Sequence, residues 1–345
     1  MTIFLDKEFV RNFWSVTWNK ETVLDHFKTQ FLRNTNGATI FTNYSSLEEI
    51  SENDEDTFFL EELFEGVPKM EFNINLSNKD ELVEQSNKGG FKIFFIEQDD
   101  KLNGQLEKEL GYVFVSSTTI NEKWERHFRN RSVIKTLSLA PDKNDFDIFN
   151  GWSDLEFVSE SPNNSILLID KYILSDNSTN RLKENLFPLL KSILSKNTET
   201  PLYLTIISGE ILSTRKNMSL KERAEEICRQ LHSFLAQYKY PKVFLSIINN
   251  DKMFYPGELD MHDRVIYTNN YYLKSTKGWD LFINGKRRIV NSTVEVHFNF
   301  QRFQMKELKG HFAMINEYLR KMKRMEVMDT VFKHYPAIIE NPLLS

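Results

Sequence analysis

Short apolar runs alternate with amphipathic stretches along most of the chain. In the first half the runs Thr2–Leu5, Ala38–Thr42, Met70–Leu76, Lys92–Ile96 and Tyr112–Val115 have strand length and are rich in β-branched and aromatic residues. Between them Lys20–Leu32, Thr57–Phe64, Lys79–Gln85 and Leu102–Leu110 carry apolar residues at helical spacing. Strands that alternate with helices in this way predict a parallel sheet covered by helices. The polar, turn-rich stretch Ala140–Gly151 then marks a domain boundary near residue 150.

The second half repeats the alternation. Ser165–Asp170, Leu202–Ile207 and Val243–Ile248 read as strands, and Asn180–Leu194 and Leu220–Tyr238 as helices. Pro188 predicts a kink or break inside the first helix. Ser219 with Glu222 three residues on predicts a capping box at the start of the second. Val265–Thr268, the pair Asn269-Asn270 and Tyr271–Leu273 predict a hairpin. From Gln301 to Tyr335 apolar residues recur at steps of three and four among Lys and Arg, which predicts a long basic amphipathic helix. The expected architecture is therefore α/β in two domains, residues 1–150 and 151–299, followed by a helical segment over 300–345.

Composition narrows the class. The chain has 345 residues, 40% of them hydrophobic and 27% charged, as in folded globular proteins. A single cysteine, Cys228, excludes an internal disulfide and a cysteine-built zinc site. Its helical context predicts a buried, inert thiol. No apolar run approaches the ~20 residues of a membrane span, and the opening Met-Thr-Ile-Phe-Leu-Asp lacks the pattern of a signal peptide. A cytoplasmic location is expected. The net charge of −5 is unevenly spread: acids dominate Glu48–Glu109, and bases dominate Lys286–Lys333. Such asymmetry suits an anionic partner at the basic end, or two plain solvated faces.

Candidate chemistry falls first at the strand ends of the N-terminal half. Asp6, Asn43, Asp99 and Asp100 are the polar residues that follow its apolar runs. Carboxylates gathered there can hold Mg²⁺ or Mn²⁺ and activate water for phosphodiester cleavage. The opening Phe4-Leu5-Asp6 followed by a helical stretch resembles the first strand of PIN-type nuclease domains, which implies a Rossmann-like or PIN-like fold for residues 1–150. Acids at such positions also serve as helix caps and turn formers, and Asp99-Asp100 stands where a cap would be.

The second candidate is His262-Asp263-Arg264, entering the hairpin, with Asn269 seven residues after His262. This spacing resembles the His-x-Lys-x4-Asp motif of the phospholipase D superfamily, with Arg for Lys and Asn for Asp. With Lys277-Gly278-Trp279-Asp280-Leu281-Phe282 it resembles the phospholipase-D-like C-terminal domain of MIT-domain-containing abscission proteins, over residues of about 155–299. The resemblance implies a domain that binds acidic phospholipid without hydrolysing it. His262, Arg264, Asn269, Lys274 and Lys277 are the expected phosphate contacts. His262 is the expected catalytic residue only if the protein is a hydrolase, and a working pair of histidines then requires a homodimer.

The expected function is recognition of a phosphate-bearing partner, nucleic acid before lipid, in a setting such as bacterial phage defence. The competing expectations are a metal-dependent nuclease using the N-terminal carboxylates, and a lipid- or protein-docking scaffold. The C-terminal helix offers a face for a protein partner. A purely structural His262-Asp263-Arg264 corner is the remaining alternative.

Overall fold

The structure is a computed structural model that describes residues 1–19, 23–25, 27–29, 38–64, 69–88, 90–128, 132–137, 148–175, 181–196, 199–209, 219–249, 264–287, 292–299, 310–317, 320, 331–334 and 341–344. It contains two principal sheets. The first has five parallel strands in the order β3-β2-β1-β4-β5: β1 (Thr2–Leu5), β2 (Thr39–Thr42), β3 (Lys69–Glu71), β4 (Lys92–Phe95) and β5 (Phe114–Val115). Around it lie α1 (Lys7–Phe13), α2 (Leu47–Ser51), α3 (Asp54–Leu63), α4 (Lys79–Ser86) and α5 (Asp100–Leu110). The parallel sheet read from the sequence is present. Its third strand is shorter than the apolar run suggested.

The abundance of phenylalanine has a structural use in this sheet. Phe4, Phe94 and Phe114 are register neighbours on β1, β4 and β5. Their rings stack at centroid spacings of 4.3 Å, and α4 and α5 cover them with Leu82, Leu106 and Leu110. On the other face Ile3, Leu5 and Phe95 meet Phe9 and Phe13 of α1 and Phe59 of α3. Burying each such side chain stabilises by about 1.5–3 kcal/mol. That exceeds what the Asn53, Asn78 and Asp99 caps supply at about 1 kcal/mol each.

The second sheet is mixed and eight-stranded, in the order β15-β9-β8-β7-β10-β11-β14-β6. Its strands are β6 (Ser132–Leu137), β7 (Ser165–Ile169), β8 (Leu202–Ser208), β9 (Val243–Asn249), β10 (Arg264–Thr268), β11 (Tyr271–Ser275), β14 (Ser292–Phe298) and β15 (Val331–His334). A small hairpin, β12 (Phe282–Ile283) with β13 (Lys286–Arg287), stands apart. The three α/β strands β7, β8 and β9 run parallel, and β10 and β11 form the expected hairpin. A short helix, α6 (Ile120–Lys123), follows β5, and the predicted break at Pro188 is a change from a π-helical turn at Leu182–Leu186 to α7 (Phe187–Ile193). The Ser219–Glu222 capping box opens α8 (Leu220–Leu235). Cys228 is buried within α8, and burial pushes its thiol up to about 12.

Three expectations of organisation need correction. Residues 1–150 do not stay with the first sheet, because β6 pairs with β14 in the second. The C-terminal segment is not helical through Tyr335, because Val331–His334 pairs with β9 as an edge strand. One apolar cluster also runs continuously from Ile3 and Leu5 to Val294 and Val296, so the two sheets share a core.

Polar contacts reinforce that shared core. Asn270 Nδ2 donates to the carbonyls of Gly111 (3.3 Å) and Pro162 (3.1 Å) and to Asn163 Oδ1 (3.2 Å). Gly111, just past α5, has φ +76° and abuts the Asn164 side chain so closely that a Cβ would overlap it. Nearby, Lys92 is 5% exposed, donating to the carbonyls of Lys88 and Gly90 and to the Tyr112 hydroxyl. Burial lowers its pKa to about 7.

Two outcomes follow. Asn270→Ala strands three buried acceptors and lowers unfolding free energy by about 2–4 kcal/mol in urea titrations. Between about pH 7 and pH 10 the unfolded chain carries a proton on Lys92 that the folded chain lacks, so stability rises with pH across that window. Thermal melts of Lys92→Met lose this slope.

Candidate functional site: the carboxyl rim of the mixed sheet

Strand β7 is apolar from Ile166 to Ile169 and buried on both faces, as a central strand must be. It ends at Asp170, which lies at the carboxyl rim shared by β7, β8 and β9. In open α/β sheets this rim is where ligands bind. The antiparallel register Val265↔Ile169 brings Arg264 opposite Asp170 at the next position, and on the same face.

Asp170 organises the rim. Its Oδ1 accepts from the backbone N–H groups of Tyr172 (2.7 Å) and Ile173 (3.1 Å), and its Oδ2 from that of Trp279 (2.7 Å). Burial raises its pKa, while these N–H groups and the Arg264 guanidinium act in the opposite direction. Gly278, at φ +96°, lies against both Asp170 and the Arg264 stem, where a Cβ would come within 2.9 Å of the carboxylate. The Gly278-Trp279-Asp280 turn is therefore tied to the end of β7. Asp280 in turn meets Arg181 Nε at 3.0 Å, and Arg181 Nη1 donates to the Tyr172 carbonyl at 2.8 Å. Asn185 Oδ1 closes the turn, accepting from Leu281 and Phe282 N–H.

Among the described residues of this rim, the charge that reaches solvent is positive. Asp170 and Asp280 are buried, whereas Arg264 and Lys171 are partly exposed and Lys277 is exposed. Lys171 Nζ lies 5.4 Å above the half-exposed Tyr172 ring. This rim can offer a guanidinium, ammonium groups and an aromatic face to an anion.

The expected phosphate contacts are distributed differently. Arg264 and Lys277 belong to this rim. Lys274 does not: it is register partner to Val265 and Glu295, so it projects from the sheet face opposite to Arg264. Asn269 lies at the far end of β10, roughly 16 Å along the strand from Arg264. It is 1% exposed, and its Oδ1 accepts from Asn164 N–H (3.0 Å) and Ser165 N–H (2.7 Å). Its Nδ2 donates to Asn164 Oδ1 at 2.9 Å. Asn269 is thus a structural brace and not a phosphate contact. His262 and Asp263 lie outside the described residues.

The N-terminal carboxylates are spent on local structure. Asp6 is 5% exposed: Oδ1 accepts from Glu8 N–H (3.1 Å) and Asn43 Nδ2 (2.9 Å), and Oδ2 from Glu97 N–H (3.2 Å). Asp99 caps α5 through Lys101 and Leu102 N–H. Asp100 Oδ1 accepts from the Ser116 and Thr118 hydroxyls, each at 2.8 Å. Among the described residues no three His, Cys, Asp or Glu side chains gather as a metal ion requires. The residues present do not fit the expected Mg²⁺ or Mn²⁺ site.

Sequence reading missed Asp170, although the rule applied to Asp6, a carboxylate closing an apolar run, points to it equally. Compared with known proteins, the chain matches no family model, no curated protein and no solved structure. No helix among the described residues is long and apolar enough to cross a membrane.

If Asp170 holds the rim together, Asp170→Asn turns an amide N–H₂ against one of three N–H donors. The variant loses about 2–4 kcal/mol of stability, measured by chemical denaturation.

Proposed function

We propose that the protein recognises a phosphate-bearing partner, most readily nucleic acid, at the carboxyl rim of the mixed sheet. The observation that carries this reading is Arg264, partly exposed at the rim, opposite the buried Asp170 in the strand register and with its side-chain stem against Gly278. A guanidinium has the planar fork that matches phosphate oxygens. Lys277 and Lys171 add positive charge at the same edge, and Tyr172 adds a surface on which a base can stack.

The likeness of His262-Asp263-Arg264 and Gly278-Trp279-Asp280 to the phospholipase-D-like domain of abscission proteins points the same way. Arg and Asn stand where that superfamily's hydrolases have Lys and Asp, which favours binding over turnover. In this reading Gly278-Trp279-Asp280 is the buttress that positions Arg264, and the phosphate meets the arginine.

Fluorescence anisotropy with labelled single- and double-stranded DNA and RNA tests the reading. Binding is expected to weaken as salt is raised. Arg264→Ala lowers affinity about tenfold or more, and Arg264→Lys, which keeps a cation beside Asp170, recovers only part of it. Affinity unchanged in both variants overturns the site. Manganese-dependent cleavage abolished by chelator replaces binding with nuclease chemistry, and capture by acidic-lipid vesicles alone makes lipid the phosphate source.

A further inference from the structure

Helix α7 starts beside the rim and leads away from it. Just ahead of it, Arg181 and Asn185 hold the Asp280–Phe282 turn, and Phe187 follows two residues later. From Phe187 a row of aromatic rings continues over α8. Phe187 stacks on Phe234 at a centroid distance of 4.7 Å and an interplanar angle of 5°. Phe234 meets Tyr238 at 5.6 Å, and Tyr238 meets Tyr240 at 6.2 Å. The Tyr240 hydroxyl donates to the Ser195 carbonyl (3.1 Å), just past the far end of α7. The row thus follows α7 along its whole length of about 10 Å.

The core is filled without these rings. Leu189, Leu190 and Ile193 of α7 and Ile227, Leu231 and Leu235 of α8 are already buried in it. All four rings of the row are partly exposed. The exposed charge along them is positive. In the segments Arg181–Lys196 and Gln230–Phe244, Lys183, Lys191, Lys196, Lys239 and Lys242 are exposed. The one carboxylate in these two segments, Glu184, is partly exposed and accepts from the Asn284 N–H at 2.7 Å. Glu226, two turns ahead of Phe234, pairs with Arg223 at 3.2 Å. Lys191 lies one helical turn from Phe187, and Lys239 stands between Tyr238 and Tyr240 in the chain.

A row of partly buried rings set among ammonium groups selects its partner by chemistry. An acidic protein uses the charge and not the rings. An acidic membrane is entered by apolar side chains that protrude, and none of these four is more than partly exposed. A single strand of nucleic acid uses both features, its bases stacking on rings and its phosphates lying against lysines. We propose that a single-stranded nucleic acid held by phosphate at the rim continues along α7, over Phe187, Phe234, Tyr238 and Tyr240, with Lys191 and Lys239 on its backbone. The track rests on the nucleic-acid reading of the rim and adds to it a preference for single strands and a dependence on their length.

Fluorescence anisotropy on the full chain, with single strands of about four and about sixteen nucleotides, tests this. The wild type is expected to bind the longer strand about tenfold tighter than the shorter one, and tighter than a duplex of the longer length. Phe234→Leu with Tyr238→Leu keeps apolar bulk, removes two ring faces, and brings the longer strand down to the affinity of the shorter. Lys191→Glu with Lys239→Glu, at two exposed positions, weakens the longer strand about tenfold and flattens its salt dependence, with the shorter strand unchanged. Arg264→Ala weakens both lengths. Equal affinity of the wild type for the two lengths, or a longer strand bound by both double variants as by the wild type, overturns the track and leaves the rim. Both lengths bound undiminished by Arg264→Ala overturns the rim reading and the continuation from it.

Discussion

The turn between β10 and β11 is the constraint on which the two sheets depend. Asn269 and Asn270 are 1% and 2% exposed, an unusual place for two amides. Each is stabilising there only because every buried polar atom it brings finds a partner. Asn269 bridges to the start of β7 through Asn164 and Ser165, and Asn270 bridges to Gly111 beyond α5. Asn299 adds a third amide, donating to the Thr268 and Asn269 carbonyls. The network sits where the first sheet's helices meet the second sheet's amino end, and it fixes how one is placed on the other. Buried amides also enforce a single register, because a slip by one residue would strand all of them.

With the amino end of the sheet locked, its carboxyl end is free to carry chemistry. Asp170 plays the corresponding part there, but with a charge. A buried carboxylate is costly unless several donors and a cation compensate it, and here three backbone N–H groups and Arg264 do so. The stem of the arginine lies against Gly278 at that edge. The same arrangement explains why Lys274, only three residues from Lys277, takes no part, since the strand's alternation sends it to the other face.

Much of this was legible in the sequence and some was not. Strands β1, β2, β4, β7, β8 and β9 declare themselves as compact apolar runs, and the capping box at Ser219 was readable from two residues. Strand β14 was legible but unread: Thr293, Glu295 and His297 alternate with Val294, Val296 and Phe298, the pattern of a strand with one polar face. The pairing of β6 with β14, and of β15 with β9, joins segments distant in the chain, and no local pattern encodes it. At the site, spacing suggested that Arg264 and Asn269 act together. A strand between two residues separates them by its full length, so spacing within a motif is no guide to proximity unless the intervening structure is known.

Cross-linking the protein by ultraviolet light to a single-stranded oligonucleotide, with mass spectrometry of the adducts, tests the central claim most directly. Adducts are expected at the carboxyl rim of the mixed sheet, on Tyr172 and the Lys277–Trp279 turn. Adducts confined to the Asp6–Asp100 edge of the parallel sheet, or none at either edge, would contradict the account.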